Sequence, residues 1–361
     1  MLGGPGPRWG STRMWMYSLR RILYNIPIFL AIVLVMMALL RVQDPVAAYL
    51  GKSPTQAEID QKQKDFGLDK PFYQQYAEFM RDFVMIPANL YNYAQYREAR
   101  NAGEDVEAPE LVRSWESNIP VVEIIGSSVP PSLALTVPAL VITATLSIGI
   151  GLFSAFNRGR LPDRILMVIA VLGMSISYLV YIIFGQYWGA YLPEREIGSD
   201  WIFAVSVQGD VGSDWYTYLK PSNWLEYCAL PVIISTIVAM GYDTRFYRAV
   251  MVEETSRDYI RTARAKGASE RRVMVVHMLR NALIPIITRI MITLPFLITG
   301  ALLVEYFFQI PGMGRTLINA VRAKDFPVIQ TFVAMLALLF ILSNILTDIL
   351  YAMVDPRVVL K

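Results

Sequence analysis

One histidine and one cysteine among 361 residues set the first limit on chemistry. His277 alone cannot supply the paired imidazoles of most zinc sites, and it is the single candidate for an imidazole base. Cys228 has no partner for an intrachain disulfide and no second thiolate for a metal cluster. Two acids near the ends of apolar stretches, Asp243 after Tyr242 and Asp348, have the placement of an intramembrane aspartyl pair. The Gly-x-Gly-Asp that marks the second half of such a pair is missing around Asp348, which reads more simply as a helix-end acid facing basic residues. Gly173-Met174-Ser175 has the spacing of a serine nucleophile, but His277, its only possible histidine partner, lies in the inner connector. Gly51-Lys52-Ser53 matches the end of a phosphate loop, yet Val46 stands where the first glycine belongs. These residues point away from an enzyme: no catalytic set, no metal ligands and no cofactor site are expected in this chain.

What remains is positive charge in a particular place. The segment 253–285, EETSRDYIRTARAKGASERRVMVVHMLRNALIP, carries Arg257, Arg261, Arg264, Lys266, Arg271, Arg272 and Arg280. Ser256–Lys266 reads as a helix of strong formers, Gly267 breaks it, and Ser269 is placed to cap a second helix over Glu270–Asn281 with Val273, Val276 and Leu279 along one side. A basic loop held near anionic lipid would need the charge alone. The glycine turn and the apolar side suit a short helix pair that a soluble partner grips and moves as a rigid body.

The elements that must position this pair are apolar. The chain is 55% hydrophobic and 17% charged, with a mean hydropathy of +0.40. Four uncharged windows, Ile22–Leu40, Leu133–Phe156, Ile165–Ala190 and Phe326–Thr347, reach the length of about 20 residues that a bilayer requires. Tyr227–Tyr242, bounded by Glu226 and Asp243, and Ala282–Val304, interrupted by Arg289, are weaker windows that fit helices packed inside a bundle. Six spans are read in all. Arginine and lysine collect before the first span, in 157–163, and in the 253–285 connector, whereas 42–131 and 191–226 are acidic. Six spans with both termini inside satisfy the positive-inside rule throughout. The first apolar stretch is too long for a cleaved signal and lacks a small-x-small site, so a retained anchor is expected.

The outer segment holds two helical stretches. Thr55 and Glu58 are spaced as a capping box, and Phe72, Tyr76, Phe79 and Phe83 form an aromatic stripe, a packing or interfacial face. Tyr91, Tyr93 and Tyr96 are placed at headgroup level. The Trp- and Tyr-rich 191–226 loop (Trp201, Trp215, Tyr216, Tyr218, Trp224) reads mainly as an interfacial belt.

Several motifs together resemble the dipeptide/oligopeptide permease family of binding-protein-dependent ABC importers. Arg261-Thr262-Ala263, three residues, then Gly267 occupies the EAA-x3-G loop. DYIRTARAKGAS followed by HMLRNALIP resembles the peptide-permease version of it. Phe66-Gly-Leu-Asp-Lys-Pro71 with Gln75-Tyr76 resembles the family's GLDKP-x-x-x-QY element. Val304-Glu305, Pro311-Gly-Met-Gly314 with Asp325, and Asp348 with Asp355-Pro-Arg357 follow in order. The likeness covers most of 17–357. It departs at Asp44-Pro45, where a longer Pro-Gly-Asp-Pro is usual, in 83–128, in the enlarged 191–226 loop, and near Ser177, where a proline is usual.

The resemblance implies an all-α integral membrane fold, the type I importer domain, in the bacterial inner membrane. It divides the chain into a cytoplasmic segment 1–21, a first span 22–42, an outer region 43–131 and a core 132–357 carrying the coupling loop 253–285. It implies a second homologous permease subunit, two ATP-binding-cassette ATPases that bind the ATP, and an extracytoplasmic solute-binding protein; lipid, not nucleic acid, is the remaining contact. Carried over by position, Arg261, Thr262, Ala263, Arg264, Lys266, Gly267 and Ala268 form the ATPase-coupling site, with Arg264 and Lys266 facing acids of the ATPase. Ser175, Ser177, Gln186 and Thr293 are candidates for the substrate pathway, each equally readable as a helix–helix hydrogen bond. Peptide is the expected cargo; nickel chelates, glutathione and oligosaccharides are alternatives. An ion-coupled transporter is the remaining class, but no internal repeat of the kind it often shows is present.

Overall fold

The computed structural model describes residues 11–42, 46–50, 54–103, 106–198, 201–207, 221–293 and 302–354. Gly51-Lys52-Ser53, Trp215, Tyr216, Tyr218 and Asp355-Pro-Arg357 fall outside them. Among the described residues the regular structure is helical. In order, α1 is Ser11–Leu40, α2 Gln56–Asp65, α3 Phe72–Val84, α4 Ile86–Asn101, α5 Val121–Phe156 and α6 Leu161–Ser175. There follow α7 Tyr178–Ile197, α8 Pro221–Glu254, α9 Asp258–Ala265, α10 Glu270–Thr293, α11 Leu302–Phe307, α12 Met313–Ala323 and α13 Phe326–Val354.

Among the described residues five helices are long and apolar enough to cross a bilayer: Leu23–Leu40 within α1, α5, α8, α10, and Phe326–Leu350 within α13. The fourth and fifth windows are the least apolar, with mean hydropathies of 1.6 and 1.5 against 2.1 to 2.5 for the others. The third span, read as one apolar window over Ile165–Ala190, is not a continuous helix. It is a bent pair, α6 and α7, whose axes meet at 90°. Ile176 and Ser177 are both extended, with ψ of 133° and 141°. No proline makes this break. Ser175, a β-branched Ile176 and Ser177 are weak helix formers, and the two serine hydroxyls offer local alternatives to the helical ladder. The Tyr181 hydroxyl donates to the Gly173 carbonyl at 2.9 Å, so an acceptor freed by the break is satisfied.

The chain forms two compact units. The first comprises residues 1–22, 132–310 and 340–361; the second comprises 23–131 and 311–339. In the first, α6 and α7 pack chiefly on α8. Gly185 and Gly189 let the backbones approach: a Cβ on Gly185 would stand 2.5 Å from Ile234 Cδ1, and one on Gly189 would stand 2.9 Å from Leu230 Cδ1. Spacing small residues by four is how apolar helices pack closely in lipid. Trp224 Nε1 donates to the Ala134 carbonyl at 3.1 Å and Trp201 Nε1 to that of Gly189 at 2.8 Å. These two tryptophans therefore tie their segments to α7 and α5.

In the second unit the capping box forms as read. Glu58 N–H donates to Thr55 Oγ1 at 3.4 Å, and Thr55 N–H donates to Glu58 at 2.8 Å. The α3 stripe is a packing face. Phe83 is buried with Val33 and Met37 of α1, with Tyr76 and Phe79 against the same cluster. The Tyr93 hydroxyl donates to the Glu123 carboxylate.

Candidate functional site

The basic segment between α8 and α10 is a closed helical hairpin. Thr255 Oγ1 and Ser256 Oγ donate to the carbonyls of Val252 and Glu253 at 2.6 and 2.8 Å, satisfying acceptors at the end of α8. After the extended Arg257, α9 runs for 8 residues, somewhat less than the Ser256–Lys266 stretch read from sequence. It ends in a Schellman turn. The Gly267 N–H donates to Arg264 O at 2.9 Å and the Ala268 N–H to Ala263 O at 3.2 Å, with Gly267 at φ +79°. This is the left-handed position that glycine occupies at least cost. Nothing lies within 4 Å of where a Gly267 Cβ would sit, so the demand for glycine is conformational and not spatial.

The second arm differs from the short Glu270–Asn281 helix expected. Ser269 takes the N-cap position with its carbonyl accepting from Val273 N at 2.9 Å, but its side chain makes no capping bond. The helix then passes through a π segment, Val273–Met278, and continues to Thr293. The arm is therefore the beginning of the fifth span. The π segment also turns the face. Val273, Met274, Met278, Ala282 and Ile286 are buried, whereas Val276, expected on that side, is 50% exposed.

These residues join Ala155 of α5, Tyr247 and Met251 of α8, and Ile260 and Ala263 of α9 in one apolar cluster. Ala268 packs on the cluster beside Ala263, completing the apolar contact of the Schellman turn. Tyr259 donates to Glu254. Burial, with the Glu254 hydrogen bond second, pushes its hydroxyl pKa up to about 12, so it stays a donor at neutral pH. Of the seven predicted coupling residues, Arg261, Thr262, Arg264, Lys266 and Gly267 are exposed, Ala268 is half-buried and Ala263 is buried. Ala263 is thus an anchor of the hairpin. Arg264 forms a bidentate pair with Glu270 across the turn, at 2.8 and 3.0 Å. Arg261 approaches Asp258 at 3.7 Å.

Two charge pairs hold the base of this assembly, and neither pairing was legible in the sequence. Asp163, 3% exposed, accepts from Arg248 Nε and Nη2 at 2.6 and 2.7 Å, from Gly159 N at 2.9 Å and from Ser154 Oγ. It fastens the inner connector 157–160 to α8 less than two turns before the hairpin begins. Arg289 Nε lies 3.0 Å from Asp243 Oδ1, with Phe246 under the guanidinium at 5.9 Å. Arg289 on the fifth span and Asp243 at the end of the fourth window thus answer each other. Asp348 likewise meets Arg21, in keeping with the helix-end reading.

The pathway candidates are dispersed. Ser175 Oγ and Thr293 Oγ1 each donate at 2.7 Å to carbonyls of their own helices, Val171 and Ile290. Ser177 forms the break in the third span. Gln186 Nε2 donates to the carbonyls of Val205 and Phe307 at 3.0 and 3.1 Å.

Comparison with known proteins places this architecture. Residues 147–360 match the family described as the binding-protein-dependent transport system inner membrane component, and residues 14–136 match its N-terminal membrane-component family. This chain belongs to that family. A putative peptide permease protein of Brucella ovis is 31% identical over 96% of this chain and 99% of its own. A glutathione transport system permease protein of Escherichia coli is 32% identical over 95% and 98%. A probable peptide ABC transporter permease of Sinorhizobium fredii is 28% identical over 96% and 99%.

As a member, the chain is the multi-pass inner-membrane permease subunit of an ABC importer, and its fold is the type I importer membrane domain. Binding-protein dependence requires a solute-binding protein and an ATPase as partners. Among features the sequence reading passed over, Gly185-Gln-Tyr-Trp-Gly189 carried a usable signal, a G-x-x-x-G in an apolar stretch. The Asp163–Arg248 pair, 85 residues apart, carried none.

Proposed function

We propose that this permease moves small peptides and that α9, with its Schellman turn, is the element through which partner ATPases drive it. The observation that carries the reading is the split of the hairpin into two faces. Arg261, Thr262, Lys266 and Gly267 stand outward, while Ile260 and Ala263 lock the hairpin into a cluster shared by α5, α8 and α10. A force on the outward face is passed to three spans without bending the hairpin, because a packed core is stiff. Two ATPases, which hold the nucleotide, would each grip the hairpin of one of two homologous permeases. Their approach would shift the spans between outward- and inward-open states, a two-state equilibrium biased by the partner. Within this mechanism Arg264 is occupied by Glu270, which leaves Arg261 and Lys266 as the cations offered to the partner.

The cargo reading rests on relatives named as peptide permeases and on one named for glutathione, itself a small tripeptide. Coupling is tested with Thr262→Cys in the assembled transporter, where the native Cys228 is buried. A bifunctional thiol reagent should join position 262 to a cysteine-bearing ATPase, with a yield that changes with nucleotide. Absence of any such product in an assembled, active transporter would remove the assignment. Peptide uptake in competition with glutathione would then fix the cargo.

A further inference from the structure

The second unit contains a cavity of about 590 Å³, built from the segment between the first two spans and from residues 326–330. One wall is an aromatic stack. The rings of Phe66 and Trp115 lie 4.1 Å apart and nearly parallel, and Phe326 stacks on Trp115 at 5.4 Å. Asp325 fixes this wall by accepting from Ser114 Oγ and, at 3.1 Å, from Trp115 N. The Phe66-Gly-Leu-Asp-Lys-Pro71 and Gln75 element, which the coupling mechanism leaves unused, lies here. Phe66, Gly67, Leu68 and Gln75 line the cavity, and Gln75 Nε2 donates to Lys70 O at 2.8 Å.

Arg41, Lys62 and Arg113 line the cavity, and none meets a carboxylate among the described residues. Arg41 lies over the Phe72 ring and Lys62 over the Phe66 ring, each at 5.0 Å, while Arg113 Nη1 donates to Asn118 O at 2.8 Å. Two of the three lining acids are already matched, Glu78 by Lys70 at 2.7 Å and Asp82 by Arg81 at 3.0 Å. Among the described residues Asp65 meets no cation and accepts from Gln61, at 2.9 Å. An aromatic wall, three cations lacking an anion and one acid lacking a cation are the complement of one ligand class. We propose that this cavity is a binding site for a short peptide with free termini and an apolar C-terminal side chain. Its carboxylate meets Arg41 and Arg113, its side chain lies on the Phe66–Trp115 wall, and its ammonium group faces Asp65. Guanidinium groups suit carboxylates, and apolar pockets with a few convergent polar groups bind small molecules. The site is lined mainly by the outer region, with Met37 of the first span and Phe326, Pro327 and Gln330 of the last contributing. It shares with the proposed function only the class of ligand.

The test is a titration of the assembled transporter in phosphatidylcholine nanodiscs, which hold no anionic headgroup to compete. The probe is the dipeptide Ala-Phe, followed by calorimetry. Saturable binding is expected, weaker by on the order of tenfold for the C-terminal amide and for the Arg41→Gln/Arg113→Gln double variant, as loss of a charge-assisted pair implies. A second readout uses Ala-(4-iodo-Phe), which should quench tryptophan fluorescence, with most of the quenching lost in Trp115→Phe. Equal binding of acid and amide, undiminished binding to the double variant, or quenching unchanged in Trp115→Phe would overturn the proposal. Failure of the cargo reading would appear in uptake assays, which this titration does not use.

Discussion

Arg289 Nε lies 3.0 Å from Asp243 Oδ1, so the two helices that flank the basic hairpin are joined at its base by a charge pair. A guanidinium in a spanning helix is costly unless it finds an anion. The pair therefore explains why a charged residue is tolerated there. Its geometry also makes the hairpin a closed loop: α8, the two arms and the Asp243–Arg289 clamp.

Removing one partner should be worse than removing both. Asp243→Ala leaves Arg289 without its anion and should destabilise the protein by about 2 kcal/mol, below the fully buried range because the Arg289 side chain is 37% exposed. The Asp243→Asn/Arg289→Gln double variant should recover part of that loss. Melting of the detergent-solubilised transporter measures both, and strictly additive losses would deny the clamp.

Asp163 is the more deeply buried acid, and its pair with Arg248 closes the inner connector onto α8. Asp163→Asn preserves shape but removes the charge, leaving the Arg248 guanidinium without its anion in a site where the Asp side chain is 4% exposed. A loss of about 3 kcal/mol is expected. Arg248→Met, which removes the cation and leaves Asp163 able to take up a proton, should cost less. The order of the two melting temperatures decides the matter; the reverse order would place the cost elsewhere than in the orphaned cation.

How much of this was readable beforehand differs by feature. The capping box at Thr55, the α3 stripe and the glycine stop at Gly267 are local patterns, and each formed where its residues lie. Features that depend on distant partners were silent. Ser175, Ile176 and Ser177 weaken the helix locally but do not announce a 90° bend, which is stabilised by the Tyr181 hydroxyl from beyond it. The face of the second hairpin arm was misread because a π segment adds residues to a turn, so the buried set runs at 273, 274, 278, 282 and 286. A fixed period places Val276 there instead.

Close packing of α7 on α8 should be intolerant of added bulk. A Cβ on Gly185 would lie 2.5 Å from Ile234 Cδ1, a distance at which something must move. Gly185→Leu should cost about 1–3 kcal/mol as overpacking, and Ile234→Ala in the same chain should restore much of it by opening the facing space. Expression and melting of the three variants supply the measure. An Ile234→Ala change that fails to compensate would show that the strain is relieved elsewhere.

Gly267 offers the sharpest separation of coupling from folding. Its φ of +79° is disfavoured for side-chain-bearing residues by about 1–2 kcal/mol, while the space around it is open. Asparagine tolerates left-handed geometry better than other residues, and a β-branched residue tolerates it least. Gly267→Asn should therefore keep most uptake, and Gly267→Val should lose most of it. The fold should survive both, because Ile260, Tyr247, Met251 and Met278 anchor the hairpin from outside the turn. The check is uptake set against ATP hydrolysis in the reconstituted importer. Continued hydrolysis with uptake lost in Gly267→Val is the expected signature of a turn that transmits motion. Equal uptake by the Val and Asn variants would mean that the turn's geometry is not what the partner engages.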